Sequence, residues 1–194
     1  ERLFNIIGTQ SYEVEINTFH GFANSIIKDF PYTFHHILED SGDGSLVDFQ
    51  PLNDYSRLKM IEKLLTTKHW EYLTPLKANL THLSQISKYL QDFKREQLSP
   101  QFLQTRANNR IKELGLSLKK EKITKTYKAS CDIELQKAKR TIELCKLYQL
   151  YNSELKQNFR YDYEDMINWV VDGLKRDLEL ALIYQEKYQP VSIK

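Results

Sequence analysis

The sequence predicts a mainly α-helical fold of about six to eight helices with one or two short strands. Turn residues are few, with 6 Gly and 5 Pro among 194 residues, whereas an all-β sandwich needs a turn about every 8–12 residues. The stretch from residue 116 to 172 contains neither Gly nor Pro. Apolar residues recur at helical spacing, and no apolar run approaches the roughly 18 residues of a membrane span.

The N-terminal region predicts the end of a helix followed by the one clear strand of the chain. Residues 2–7 have a helical pattern that Gly8 ends. Residues 12–17 (YEVEIN) alternate between polar and apolar side chains, as a strand does. Because a lone strand leaves its backbone groups unpaired, we expect residues 191–193 (VSI) to form a short parallel pair with it. Strand addition from a second copy is the alternative.

Two helices are predicted in the next part of the chain. The first has an apolar stripe that ends before Pro31 and consists of Phe22, Ile26, Ile27 and Phe30. The second begins at an N-cap, Asn53 or Asp54, and has one apolar face formed by Leu58, Ile61, Leu64 and Leu65.

Two further helices have the same start signal, an N-cap residue followed by Pro at the first helical position. Thr74-Pro75 begins a helix with a regular apolar seam at Leu76, Leu80, Leu83, Ile86, Leu90 and Phe93. Ser99-Pro100 begins the next helix, which we expect to end at Gly115.

A long helix is predicted from about Lys120 to Asn158. Its second half has two apolar faces and should be buried on both: Leu135, Ala138, Ile142 and Cys145 form one, and Leu144, Tyr148, Tyr151 and Leu155 form the other. Asp162 and Asp165 predict a capping pair for the following helix, which ends near Gly173. Asp177 begins a last helix that continues through Tyr188.

The two cysteines, Cys131 and Cys145, both fall in the predicted long helix. Fourteen residues at about 1.5 Å each place them about 21 Å apart, whereas a disulfide needs Cα atoms within roughly 7 Å. We therefore expect two small, half-buried hydrophobic side chains and a protein of the reducing cytoplasm. The chain begins at Glu1, without Met and without a signal peptide. We therefore expect it to be a piece cut from a longer protein.

Three common nucleotide-binding and metal-binding motifs are missing from the sequence. No Gly is followed by Lys-Ser or Lys-Thr, so there is no phosphate-binding P-loop, and neither GxGxxG nor HExxH occurs. The acidic loop at residues 40–44 does not fit an EF-hand, because the twelfth position from Asp40 is Pro51. His35-His36 lies near Glu39, but adjacent side chains rarely point the same way, so we predict no metal site.

Positive charge is concentrated in the middle of the chain. Between Lys94 and Lys146 there are 14 Lys and Arg against 6 Asp and Glu, a local net charge of +8, while the rest of the chain carries −6. The basic band consists of Arg106, Arg110, Lys112, Lys119, Lys120, Lys122, Lys125, Lys128, Lys137, Lys139, Arg140 and Lys146. Such a band predicts a track for nucleic-acid phosphates; a solvated helix face is the alternative.

Residues 18–23 (TFHGFA) follow the predicted strand and open a helix. Hydroxyl and backbone N–H groups at a helix N-terminus suit phosphate oxygens. Without further information, Thr18 is equally an ordinary N-cap and His20 an ordinary surface residue.

Five segments, in order, resemble motifs of the UvrD/Rep/PcrA-like DNA helicases of superfamily 1. The first is the TFHG-type motif at residues 18–23, and the others extend over nearly the whole chain: residues 49–54 (FQPLND), 93–100 (FKREQLSP), 161–167 (YDYEDMI) and 182–189 (LIYQEKYQ). Each segment alone is weakly specific, and the order of all five carries the resemblance.

The resemblance implies which part of a helicase this chain is. Residues 1–20 would be a flank of the first RecA-like domain, with a helix end and a strand. Residues 21–189 would be its helical insertion, subdomain 1B, and residues 190–194 a tail where the Walker B strand belongs. The family's Walker A and Walker B motifs are missing from the chain. We therefore expect no ATP site and no catalytic or metal-binding residue here, although the parent would use ATP and Mg²⁺.

The resemblance also implies a function, a DNA-contacting subdomain of an ATP-dependent 3′–5′ DNA helicase. The partners would be single-stranded DNA, the duplex junction and the rest of the helicase, with no membrane. Thr18 and His20 would contact single-strand phosphates, with Phe19 packed beneath them, and the basic band would follow the DNA backbone. Two alternatives stay open: a helical protein-interaction module with an incidental basic face, and the helicase-like subunit of a helicase–nuclease complex.

Overall fold

The predicted mainly α-helical fold is confirmed by the computed structural model. The structure describes residues 2–13, 17–34, 49–73, 80–118 and 124–188. Within these ranges it has eight α-helices, one 3₁₀ helix and a small parallel sheet of two strands. The chain divides into two compact units, Glu1–Leu46 with Met166–Lys194, and Val47–Asp165.

The first unit begins with helix α1 (Arg2–Ile7), a 3₁₀ helix (Gly8–Glu13) and helix α2 (Phe19–Asp29). Gly8 ends α1 as predicted, with a left-handed φ of 62°.

The predicted strand at residues 12–17 is wrong where the structure describes it. Tyr12 and Glu13 are 3₁₀-helical and Asn17 is irregular. A 3₁₀ turn pairs backbone groups locally, and the Tyr12 ring packs edge-on against Phe4 with centroids 5.9 Å apart. The described part of the predicted strand is therefore 3₁₀-helical or irregular and not extended. Residues 14–16 and 189–194 lie outside the described residues, and so does the predicted pairing of residues 191–193.

The same unit contains most of helix α7 (Tyr163–Arg176) and all of helix α8 (Leu178–Lys187). Asp177 is the N-cap of α8, as predicted, and accepts the Leu180 N–H at 3.0 Å. The apolar interior of this unit is formed by Ala23, Ile26, Phe34, Met166, Val170, Leu180 and Tyr184, all buried.

The second unit contains strand β1 (Gln50–Pro51), helix α3 (Asp54–Thr67), helix α4 (Leu80–Arg95), helix α5 (Pro100–Ser117), helix α6 (Lys125–Gln157) and strand β2 (Arg160–Tyr161). The parallel strands pair Gln50 with Arg160 and Pro51 with Tyr161. Its core is formed by Leu52, Ile61, Leu64, Trp70, Leu73, Leu83, Ile86, Leu90, Leu144, Leu147, Tyr148, Tyr151 and Leu155. The second half of α6 is therefore buried on two sides, as predicted.

Helix starts in this unit agree with their N-cap signals, but two helix boundaries differ. Asn53 caps α3 and Ser99 caps α5, in both cases by accepting a backbone N–H. Helix α6 begins at Lys125, with Thr124 as its N-cap, and not near Lys120. Helix α5 continues through Gly115 to Ser117, because one interior Gly costs only about 1 kcal/mol. The Thr74-Pro75 start, the loop at residues 40–44 and His35-His36 lie outside the described residues.

Both cysteines are buried and unpaired. Among the described residues, no helix is long and apolar enough to cross a membrane. No group of three or more His, Cys, Asp or Glu side chains in those ranges is arranged to hold a metal ion.

Candidate nucleic-acid interface

Helices α5 and α6 form an antiparallel hairpin that carries most of the basic band. Small buried side chains, Ala107 on α5 and Ala138 on α6, let the two helices approach closely. Nearer the tip, the guanidinium of Arg110 lies 4.0 Å from the carboxylate of Glu134. We call the first turn of α6, residues 125–128, the hairpin tip.

Lys125 and Lys128 lie in the first turn of α6, at this tip, and both side chains are exposed. Thr124 fixes the start of the helix because its hydroxyl accepts the Tyr127 N–H at 3.3 Å. Among the described residues, no carboxylate lies within 4.0 Å of either ammonium group. The predicted neighbours Lys119, Lys120 and Lys122 lie outside the described residues.

Arg106 and Arg110 lie further along the hairpin, and both are exposed. The guanidinium of Arg106 lies 5.7 Å from the centroid of the Phe102 ring. Arg110 contacts Glu113 at 3.3 Å and Glu134 at 4.0 Å. Arg110 is thus partly neutralised, whereas Arg106 keeps its charge at the surface.

A groove of about 420 Å³ runs between the two helices beside these arginines. We call it the hairpin groove; it is lined by Leu98, Phe102, Leu103, Arg106, Ala107, Arg110, Glu134, Lys137, Ala138 and Thr141. Lys137 donates a hydrogen bond of 2.9 Å to Glu134. This bond and the nearby charges of Lys137 and Arg110 lower the pKa of Glu134.

Other cations of the middle region are engaged within the protein. The ammonium of Lys139 lies 3.1 Å from the Tyr72 hydroxyl, and the Arg140 guanidinium donates to the Tyr72 carbonyl at 3.2 Å. Arg95 contacts Asp92 and Glu164. These cations therefore already have partners within the second unit.

Lys94, the first residue of the basic middle region, is a buried cation and not part of an exposed basic track. Its side chain is 3% exposed, because two carboxylates of the second unit bind it. The 18 residues of α5 separate it in the chain from the tip, a distance of about 27 Å along a helix.

The TFHG segment has the geometry of a capped helix start. The Thr18 hydroxyl accepts the Gly21 N–H at 3.0 Å, and Thr18 and His20 are exposed. Phe19 does not pack beneath them, because its side chain is 85% exposed. Burial on α2 begins one turn later, at Ala23, so the first helical residue projects into solvent.

A buried polar cluster around Asp162 was missed by sequence reasoning. Asp162 is 1% exposed and accepts hydrogen bonds of 2.8 Å from both Tyr151 and Lys94. Lys94 also donates to Asp165 at 2.6 Å, and Arg57 lies 3.6 Å from Asp162. The sequence held one signal for this cluster. Lys94 lies in the segment 93–100, and Asp162 and Asp165 lie in the segment 161–167, both of which resemble family motifs.

The predicted capping pair is half confirmed. The Asp162 N–H donates to the Asp165 carboxylate at 3.0 Å, as a capping box requires. The Asp162 carboxylate binds Lys94 and Tyr151 instead of a backbone N–H. Burial lowers the pKa of Lys94, but Asp165 and Asp162 raise it by more, so the net shift is upward and the ammonium stays charged.

Comparison with known proteins agrees with the family resemblance drawn from the five segments. No curated protein and no solved structure matches the chain significantly. The family described as UvrD/REP helicase N-terminal domain matches residues 1–193. The chain therefore belongs to the UvrD/REP helicase N-terminal domain family.

Proposed function

We propose that this chain is a DNA-contacting helical part of an ATP-dependent 3′–5′ DNA helicase, and that its hairpin tip binds backbone phosphates. The observation that carries the proposal is the pair of exposed ammonium groups on Lys125 and Lys128, with no carboxylate within 4.0 Å among the described residues. Lys119, Lys120 and Lys122, which lie outside the described residues, precede them in sequence and belong to the same proposed phosphate track. Residues 21–189 would be the helical subdomain, with residues 1–20 and 190–194 at its flanks.

The helix dipole strengthens this site for anions. The N-terminus of a helix carries a partial positive charge and favours Asp or Glu in its first turn. The first turn of the 33-residue helix α6 has no acidic residue, and Lys125 and Lys128 occupy it instead. Cations at this position cost the helix some stability, but together with the free N–H groups they form a strong field for phosphate.

Thr18 and His20 are the proposed contacts to single-strand phosphates. Thr18 caps an 11-residue helix, and its hydroxyl keeps its own proton available while it accepts the Gly21 N–H. The exposed Phe19 beside it offers a face on which a base can stack. Arg106 and Arg110 have a smaller proposed share in DNA binding than the tip lysines. Arg110 is paired with two glutamates, and Arg106 lies one helical turn further from the tip on α5.

The proposed phosphate track is tested by charge reversal at the tip. The Lys125→Glu, Lys128→Glu double variant should weaken binding to every DNA sequence about equally. Its slope of log affinity against log salt should be flatter by roughly one unit for each lost phosphate contact. Folding should be preserved, because exposed lysines carry little stability and Glu suits the first turn of a helix.

The matched control is Lys68→Glu, Lys88→Glu, which changes two exposed lysines of the second unit and has the same net charge. Fluorescence anisotropy with labelled single-stranded and forked DNA at low salt measures all three proteins. Equal affinities of the wild type and the tip variant would overturn the proposal. An equal loss in the control would mean that only the overall charge matters.

ATP and Mg²⁺ are proposed to act elsewhere in such a helicase. The 194 residues contain no Gly-Lys-Ser or Gly-Lys-Thr to bind phosphates. ATP with Mg²⁺ should therefore leave the melting temperature of this chain unchanged. A ligand at 100 times its dissociation constant would add about 2.7 kcal/mol of stability, so a clear upward shift would contradict this assignment.

A further inference from the structure

We propose that the hairpin groove binds an acidic peptide segment of a partner protein, with an apolar side chain of that segment inserted between α5 and α6. This interaction goes beyond the proposed DNA contact and centres on the groove instead of the tip. Arg106 and Arg110 line the groove and have only a smaller share in the proposed DNA contact. Arg110 lies at the end of the groove that is nearer to the hairpin tip, and it pairs with Glu134. Glu134 is six residues beyond Lys128 on α6. The groove therefore begins about 9 Å along the helix from the lysines of the tip.

The floor of the groove is apolar and suits an inserted side chain. Leu98 and Leu103 are half-buried, and Ala107 and Ala138 are buried between the helices. Phe102 forms one wall and leaves 48% of its side chain exposed. Burial of such surface by a Leu or Phe side chain contributes roughly 25 cal/mol per Å², and aromatic walls are common at binding hot spots.

The rim of the groove selects for negative charge. Arg106, Arg110 and Lys137 surround the floor, against one carboxylate, Glu134. Glu134 is already held by Lys137 and by Arg110, and Arg110 also contacts Glu113. Counted with Glu113, the rim keeps a net charge of +1 for an incoming ligand. Arg106 contacts no carboxylate within 4.0 Å among the described residues. It is the cation best placed to bind Asp or Glu of a peptide beside an anchored apolar side chain.

A nucleobase fits this groove less well than an apolar side chain. The hydroxyl of Thr141 is the one neutral side-chain polar group that lines it, and it already donates to the Lys137 carbonyl at 3.0 Å. The polar edges of a base on this floor would lose water without gaining partners. The Arg106 guanidinium also lies against the Phe102 ring, where a base would stack.

The test uses a labelled synthetic peptide with Leu and Phe four residues apart, flanked by Asp and Glu. Two matched peptides test the apolar and the acidic residues separately. One replaces Leu and Phe by Ala, and the other replaces the acidic residues by Lys and Arg. We expect the acidic peptide with its apolar residues to bind the 194-residue chain about tenfold or more tightly than either. Equal binding of the three peptides would overturn the proposal.

The groove itself is tested by two exposed substitutions. Phe102→Ala and Arg106→Glu should each weaken peptide binding about tenfold and leave the melting curve nearly unchanged. The controls are Tyr89→Ala, an aromatic residue that is 52% exposed on α4, and Lys88→Glu, an exposed lysine on the same helix. Loss of peptide binding in the controls would contradict the assignment to the groove.

Competition with DNA separates this proposal from the phosphate track. An unlabelled oligothymidylate should displace the peptide only weakly, and the tip variant Lys125→Glu, Lys128→Glu should retain peptide binding. If Phe102→Ala weakens oligothymidylate binding and leaves peptide binding unchanged, the occupant is nucleic acid and the peptide proposal fails. Failure of the tip variant to affect DNA would contradict the proposed function alone.

Discussion

The phenol of Tyr151 donates a hydrogen bond of 2.8 Å to the carboxylate of Asp162, and both side chains are fully buried. The hydroxyl lies 3.0 Å from the second carboxylate oxygen, which also accepts from Lys94 at 2.8 Å. Helix α6, helix α4 and the residue before α7 are therefore joined by one carboxylate. The free energy of unfolding should depend strongly on each member of this cluster.

Tyr151→Phe removes the phenol and leaves the ring in place. Because hydrogen bonds to charged groups contribute about 1.5–3 kcal/mol, we expect the free energy of unfolding to fall by about that amount. Urea denaturation followed by circular dichroism measures it. The control is Tyr89→Phe at an exposed position, which should change the free energy of unfolding by less than about 0.5 kcal/mol. Equal losses of stability in the two variants would show that the hydrogen bond of Tyr151 to Asp162 does not stabilise the fold.

Asp162→Asn should be more destabilising, because it removes one of the two carboxylates that neutralise the buried Lys94. Breaking a buried ion pair by changing one partner costs about 3–5 kcal/mol. Lys94→Met should cost a similar amount for the same reason. The double variant should cost clearly less than the sum of the two. Additive losses in this double-mutant cycle would show that the two side chains act independently.

Stability should fall at alkaline pH. Burial and the nearby Asp162 carboxylate raise the pKa of Tyr151, so the unfolded phenol ionises near pH 10 while the folded one keeps its proton. The pKa of Lys94 is also raised, since Asp165 and Asp162 together outweigh its burial. In both cases the folded state binds more protons above the unfolded pKa, so stability is full below about pH 10 and falls as pH rises.

The alkaline prediction is checked with urea midpoints from pH 7 to pH 11, compared between wild type and Tyr151→Phe. The other tyrosines titrate in both proteins, so the difference between the two curves reports Tyr151. We expect the stability gap to narrow above about pH 10. A constant gap over the whole range would contradict the raised pKa of this phenol.

Sequence reasoning predicted what depends on local signals. Ser99 and Asp177 were found because an N-cap bonds a backbone N–H three residues later. The role of Asp162 was missed because Lys94, its partner, is 68 residues away in the chain. Local pattern cannot tell which distant cation will neutralise a carboxylate. The same holds for Phe19, whose exposure depends on what packs against α2.

Glu143 also has partners that are distant in the chain, and for this reason sequence reasoning did not single it out. Its carboxylate accepts three consecutive backbone N–H groups, from Glu71, Tyr72 and Leu73, at 2.7–2.8 Å. The donors lie about 70 residues earlier in the chain. Helix α6 thereby fixes the segment that follows α3.

Glu143→Gln should therefore lower the free energy of unfolding by about 1.5–3 kcal/mol, because a charged acceptor is lost and the new amide N–H₂ group faces other donors. Amide hydrogen exchange of residues 71–73 should also become faster. The control is Glu113→Gln on α5, whose side chain is 65% exposed. Unchanged exchange at residues 71–73 would mean that the carboxylate does not anchor this segment.

Two glycines predict opposite outcomes for the same substitution. A Cβ at Gly173 on α7 would lie 2.8 Å from the Phe34 ring, which is 1% exposed. We expect Gly173→Ala to lower the free energy of unfolding by about 1–3 kcal/mol, because the buried ring must shift.

Gly115 lies inside α5, and a Cβ there would meet nothing within 4 Å. Gly115→Ala should stabilise the protein by up to about 1 kcal/mol, since Ala restricts the unfolded chain and favours the helix. Thermal melts of the two variants measure both signs, and destabilisation by Gly115→Ala would imply that α5 does not continue through this position.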